Sequence, residues 1–499
     1  MAVLLPWLGL TNAASVQAAE LRPDSPGALS ARPPRLRPDY TGVVIPPNIA
    51  PLNFLIDEPG RQHRVRLEGA HGLPVEVAAD AAGKVILPVA AWRTLLRTNV
   101  GWPLRYTVQT LSSAGTWESW APVTNTVARE PVDPVLVYRR LRPLYNFYRE
   151  MGIYQRDVES YRQRPVLESR DFGGGCLNCH TFQDHRPDTF ALHIRGQKGP
   201  QPMLLVRSNA VARVNQTAGY LAWHPGGEWL AFSANRLSLF FHTRGETRDV
   251  FDAESNLGLY GLHANAITRP AALADPAQLE TWPRWAPDGR HLYFSSARPL
   301  RVERFRQVRY DVRRVAFDPA TSTWGEPETV VAAAEAGFSA TQPRISPDGR
   351  WLLYCRSRYG HFPIYQADSD LHVLDLGTGQ SRRLDVNSDQ ADTWPCWSSN
   401  GRWIVFSSKR GTGLFARPHF SYVDAEGRFH KPFLLPQRDP TYYDACLETF
   451  NVPEWVTGPI EVSPARLARA ILRPSHVLEP SNGAGHAHHE EQIAPRPRD

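Results

Sequence analysis

Cys176, Cys179 and His180 are the residues of this chain best suited by type and spacing to do chemistry. They lie in Asp171-Phe-Gly-Gly-Gly-Cys-Leu-Asn-Cys-His-Thr-Phe182. Cys-x-x-Cys-His is the attachment signature of c-type haem. Two thiols at this spacing can each add to one vinyl group of the porphyrin. The adjacent histidine then supplies the proximal nitrogen to iron. From the chain's own Cys and His content, a chance match arises in roughly one of six hundred such sequences. The glycines before Cys176 allow the backbone to bend tightly against a flat macrocycle. A redox Cys-x-x-Cys or half a zinc site are the plainer readings. Zinc needs two more ligands, and no second Cys-x-x-Cys or His-x-x-x-His follows nearby. The expectation is one covalent haem c on Cys176 and Cys179, with His180 as the proximal iron ligand.

The second axial position decides what such a haem does. With one protein ligand the iron is open to small molecules; with two it mainly carries electrons. Four side chains are candidates for the distal ligand. His193 alternates with Leu192 and Ile194 shortly after the motif. His242 follows Phe240-Phe241, and His224 stands at a turn. Met203 sits in the apolar run Gln201-Pro-Met-Leu-Leu-Val206, where packing in a core is the default reading.

The elements that position these residues are mostly β. Gly 35 and Pro 44 among 499 residues favour turns and short strands over long helices. The net charge of +6 is modest, and no Lys/Arg block with interleaved aromatics marks a nucleic-acid partner. Residues 1–18 read as a signal peptide, with an apolar run and a small-residue cleavage site at Val16-Gln-Ala18. Export to the periplasm agrees with the haem motif. No later apolar run is long enough to span a bilayer, so no transmembrane segment is expected in the mature chain. Cys355, Cys396 and Cys446 have no tight spacing and do not form a disulfide framework.

Residues 19–42 are Pro/Arg-rich and read as a flexible lead-in. Short alternating runs over 43–130 predict a β-sandwich of immunoglobulin or fibronectin type, with Trp92, Trp102, Trp117 and Trp120 in its core. Residues 131–187 read as a short helical linker that carries the motif, because apolar residues over 134–163 recur near helical spacing. The remainder to residue 455 repeats. Ala222–Ser233, Arg284–Ser295, Arg344–Cys355 and Cys396–Ser407 each read strand, Pro-Asp-Gly-like turn, strand. That interval implies a propeller over 188–455, with five or six blades. Asn235, Arg236, Arg298, Arg358 and Arg410 follow second strands and are expected to gather at one rim. The tail, 456–499, reads as peripheral, with a short helix near 464–472 and a His cluster at 486–489.

The W-S-P-D-G pattern of the repeats resembles TolB-like β-propellers. Ile45–Phe54, Cys176–Phe182, Leu192–Gly196, Ala222–Pro225 and Phe241-His242 together resemble a bacterial group of secreted TolB-like propellers. In that group the propeller follows an Ig-like region and a single c-haem motif. The resemblance spans most of residues 43–455 and implies fold and haem, but little about physiological role. The leading expectation is an exported monohaem c-type cytochrome that relays electrons to redox protein partners docked on the propeller. Two alternatives stay open: a propeller oxidoreductase with an additional noncovalent cofactor, and a protein-binding scaffold whose haem is structural or sensory. No Gly-x-Ser-x-Gly elbow or His-Glu-x-x-His motif supports a hydrolase.

Overall fold

The computed structural model describes residues 29–142, 150–195, 201–240, 248–273 and 275–482. The signal segment, His242 and the His cluster of the tail lie outside the described residues. The described chain is mostly β. Six successive sheets of four or five strands follow an N-terminal unit of two sheets, one of three strands and one of six.

In the N-terminal unit, Phe54–Ile56 pairs with Leu36–Arg37 and Lys84–Val85, while Gln62–Gly69 and Pro103–Leu111 anchor the larger sheet. One apolar core joins the two sheets. Helix Val89–Thr98 was not anticipated; it buries Trp92, Leu95 and Leu96 on one face against that core. Trp120 is buried as expected, but Trp102 is half exposed. Residues 29–42 are docked rather than loose. Tyr40 is fully buried, and the Arg32 guanidinium donates to both carboxylate oxygens of Glu58 at 2.6 and 2.8 Å. The same core continues into Trp403 and Val405 of the sixth large sheet, so the sandwich sits directly on the ring.

The helical linker expected over 131–187 is a set of strands. Val135–Leu141, Gly152–Asp157 and Gln163–Glu168 form a sheet, and the Cys-x-x-Cys-His motif lies in the strand Cys176–Phe182. Among the described residues, Ser169–Phe172 makes a short 3-10 turn. The run Val135-Leu-Val-Tyr138 is buried on both faces, and period alone does not separate such a strand from a buried helix.

The first large sheet is completed from the far end of the chain. Thr449–Val456 pairs antiparallel with Val135–Leu141 and becomes the innermost strand. The innermost strands of the other sheets are Cys176–Phe182, Leu221–Trp223, Leu279–Trp285, Ser339–Ile345 and Asp392–Trp397. Each touches the next, and Thr449–Val456 touches both the last and the first. The six inner strands therefore close a ring, which makes the body a β-propeller. Val477–Leu478 and Ser481–Asn482 in the tail add parallel to the outer edges of the second and third sheets, after helix Pro464–Leu472.

The repeated turns explain the repeated sequence. Gly227, Gly289, Gly349 and Gly401 all have φ between 65° and 74°, where a side chain is strained. Their N–H groups close turns onto His224, Ala286, Ser346 and Ser398 at 2.8–3.0 Å. The Asp288 and Asp348 carboxylates accept the backbone N–H two residues on.

Removing the indole of the closing strand tests the ring. Trp455 is fully buried, so Trp455→Ala is expected to cost about 3–5 kcal/mol in urea unfolding. Trp102→Ala, at a half-exposed site, is expected to stay within about 0.5 kcal/mol of the parent.

Candidate functional site

The inner strands share one irregularity, and the site is built on it. Trp282, Gln342, Trp394 and Val452 each take a left-handed φ of 50–57°, and each precedes a proline. Strand pairing slips at these positions, as at a β-bulge. Proline fits there because no ladder hydrogen bond is asked of it. The motif strand carries the same slip. Leu177 pairs with Ile194 and His180 with Leu192, so Asn178 and Cys179 together oppose His193. His180 thus stands where the sister strands place proline, and Cys179 where they place Trp282, Trp394 and Val452.

The bulge changes how the two thiols are presented. On a regular strand, residues three apart lie about 10 Å apart on opposite faces. The extra residue shortens this to two strand positions, about 7 Å, while Cys176 packs against the core around Met151 and Cys179 enters the axial cluster. Cys176 is half-buried, with its sulfur 3.8 Å from the Met151 sulfur. Cys179 is buried in an apolar cluster with Tyr220, Trp282, Trp394 and Val452. This cluster plugs the channel. Tyr220 and Trp282 stack with centroids 3.3 Å apart, and Trp394 meets Trp282 edge-on at 4.9 Å.

Burial sets the electrostatics. It pushes the Cys179 thiol up to about 11, against the opposing pull of Arg139 and Arg195. The Cys176 thiol is raised for the same reason and opposed by the same two arginines. Burial pulls His180 down to about 3, and the charges of Arg139 and Arg344 add to the shift. The ring nitrogens of His180 have no partner of good hydrogen-bond geometry, and the Val452 backbone, close to the ring, opposes part of the shift. A buried imidazole so weakly satisfied is costly, on the order of 1–3 kcal/mol. Two thiols beside such a ring are the donor set that a thioether-linked, histidine-ligated porphyrin requires, and Tyr220, Trp282 and Trp394 offer flat apolar surface beside it. The residues fit that group.

The four distal candidates are not brought together. His193 is on the strand hydrogen-bonded to the motif strand, about 4.8 Å away across the ladder, so no macrocycle comes between it and His180. Its Nε2 accepts the Ala218 N–H at 3.3 Å. Met203 is one strand further out and fully buried in a core with Leu205, Trp223 and Phe232. His224 is at the other end of the channel with both nitrogens engaged: Nε2 with the Gly289 carbonyl at 2.9 Å, and Nδ1 accepting the Gly226 N–H. His242 lies outside the described residues. The reading of the sequence overlooked His361. It is buried beside Tyr220 and Phe362, its Nε2 has no partner, and burial holds it down at about 3. Its carbonyl accepts the Trp282 indole N–H at 2.8 Å, which ties it to the plug. A lone histidine between repeats carries no spacing signal.

The expected arginine rim is dispersed into local pairs. Arg236 pairs with Glu254, Arg358 with Asp368 and Arg410 with Asp392. Asn235 turns inward and donates to Asp252 at 2.7 Å.

No family model and no curated protein matches the chain. Among solved structures it is similar to TolB from Acinetobacter baumannii, with 15% identity and a TM-score of 0.42 over 72% of this chain and 80% of that one. A puromycin-hydrolysing peptidase of Mycobacterium tuberculosis shares 15% identity, with a TM-score of 0.36 over 68% and 50% of the two chains. Hydrazine synthase of Kuenenia stuttgartiensis shares 14% identity, with a TM-score of 0.30 over 50% and 64%. Likeness at this level concerns the fold alone. A propeller is compatible with a binding scaffold. No helix among the described residues is long and apolar enough to cross a membrane.

A buried acid beside the plug gives a pH test. Burial raises Asp252 to about 7 from an ordinary 3.8, against hydrogen bonds from Ser255 and Asn235. The folded state therefore holds a proton that the unfolded state releases. Stability is fully present below about pH 4 and is lost as pH rises through 7. Asp252→Asn is expected to flatten that decline, and to gain stability relative to the parent at pH 8 on the order of a few kcal/mol. Urea midpoints of both proteins at pH 5 and pH 8 measure it.

Proposed function

We propose that this chain is an exported monohaem c-type cytochrome. Its haem is held covalently by Cys176 and Cys179, with His180 as proximal ligand. The observation that carries the reading is the buried His180 ring, without a well-formed hydrogen bond, on the same bulged strand as the two thiols. When bound, the group supplies reversible one-electron exchange. The chain's own residues do the rest. The bulged strand fixes the spacing between the thiols and the imidazole. Tyr220, Trp282 and Trp394 exclude water from one side of the site. Arg139 and Arg195 offset part of the burial cost of the thiolates. Of the described histidines, His361 keeps an unpartnered nitrogen beside Tyr220 of the plug, and it would be the side chain to offer the group a second nitrogen. Attachment of haem to such a motif takes place outside the cytoplasm, so the reading carries export with it. The propeller faces then serve to dock redox protein partners.

Production in a host with c-type maturation tests this. The expected product is red, with a low-spin spectrum and the mass of one haem added to the peptide containing residues 176–180. The double variant Cys176→Ala/Cys179→Ala is expected to be colourless. His361→Ala is expected to keep the covalent haem but lose low-spin character and gain carbon monoxide binding in the ferrous state. Colourless, correctly exported parent protein would overturn the proposal.

A further inference from the structure

The far end of the channel carries a second cluster that the motif does not use. A cavity of about 310 Å³ opens beyond Phe182, about 20 Å along the motif strand from Cys176. Arg284 and Arg344 line it, on the inner strands of neighbouring sheets. Arg284 makes no hydrogen bond and no ion pair among the described residues. Burial lowers its pKa, and the like charge of Arg344, which shares the cavity, lowers it further. Arg344 has a buried Nε without a partner, and its Nη2 is 3.8 Å from the Glu454 carboxylate, at the limit of an ion pair.

Hydrogen-bond donors and acceptors in this cavity do not balance. Glu454 is buried and its pKa is raised by that burial, against the pull of Arg344 and Arg284. Asp184 also lines the cavity, but it is exposed at the mouth. Two arginines thus face Glu454 within the cavity and Asp184 at its exposed side, and Arg284 is bonded to neither. The walls are aromatic, from Trp223, Trp285, Trp397 and Trp455. Three of these indoles, Trp223, Trp285 and Trp455, have buried N–H groups with no acceptor. Donors exceed acceptors, and the surfaces around them are flat and apolar.

We propose that this cavity binds a small aromatic monocarboxylate, with its carboxylate at Arg284 and Arg344 and its ring against the tryptophan wall. Planar guanidinium groups match a carboxylate by two parallel hydrogen bonds. A monoanion is favoured over phosphate, whose second charge would meet the carboxylates of Glu454 and Asp184. The site needs no haem and uses neither thiol of the motif, although the His180 ring meets Phe182 of its wall at 5.9 Å.

Benzoate is the probe, titrated into the purified full chain by calorimetry and by quenching of tryptophan fluorescence. Saturable binding below about 10 mM is expected. Benzamide has the same shape without the charge and is expected to bind at least about tenfold more weakly, as is inorganic phosphate. Arg284→Gln is expected to weaken benzoate about tenfold or more while its urea midpoint matches the parent. The double variant Cys176→Ala/Cys179→Ala is expected to bind benzoate like the parent. Absence of saturation, equal affinity for benzamide, tighter binding of phosphate, or an unaffected Arg284→Gln protein would each overturn the proposal.

Discussion

Everything in the channel depends on one pairing, that of Thr449–Val456 with Val135–Leu141. A ring of sheets has no edge at its centre only if the first and last inner strands meet. Here the first sheet lacks an inner strand of its own, and the chain returns after about three hundred residues to supply it. Such a contact is entropically slow to find, because the loop must close before the pairing rewards it. Once made, it carries Trp455, Val452 and Glu454 into place together. Trp455 fills the core against the sandwich, Val452 joins the plug, and Glu454 faces Arg344. His185 reinforces the closure, with Nδ1 on the Trp455 carbonyl at 2.9 Å.

The six inner strands then act as a stack of rings. At the bulge level stand Cys179, Tyr220, Trp282, Gln342, Trp394 and Val452, and these are mainly large and apolar. Two residues on, Thr181, Ala222, Arg284, Arg344, Cys396 and Glu454 form a polar level. The left-handed φ at four of the bulges costs of order 1–3 kcal/mol each, so the surrounding packing must over-determine it. What that strain secures is a wall of side chains turned to the axis at one height. The motif is a variation on this wall: a cysteine and a histidine replace the bulge residue and its proline on a single strand.

The strand–turn–strand repeats were legible because their chemistry is local. A Pro-Asp-Gly turn needs a left-handed glycine and a side-chain acceptor, and both are visible in the letters. The motif was legible for the same reason. Its setting was not. Val135-Leu-Val-Tyr138 and Gly152–Asp157 are buried on both faces, so their apolar residues show no strand alternation, and nearby arginines mimic a helical period. The missing inner strand lies at 449–456, far from the sheet it completes, and no local pattern records that debt. Thr281-Trp-Pro, Thr341-Gln-Pro, Thr393-Trp-Pro and Asn451-Val-Pro form a second repeat just before the recognised one. Read with it, Asn178-Cys-His180 falls into line as an inner strand. His361 left no trace, since only the folding of the 361–365 segment over the plug gives it a role.

The plug closes the channel between its two ends. Tyr220, Trp282 and Trp394 pack in direct ring contact, and Phe362 closes on Trp394 at 5.7 Å. Water and small molecules therefore do not pass from the arginine cavity to the motif through this cluster. Charge still reaches across, since Arg344 of the cavity helps to lower His180, whose ring also meets Phe182 of the cavity wall. Burial holds the rings of His180 and His361 neutral. The plug therefore blocks passage of molecules without isolating the electrostatics, and a charge bound at the arginines acts on the imidazole of the motif.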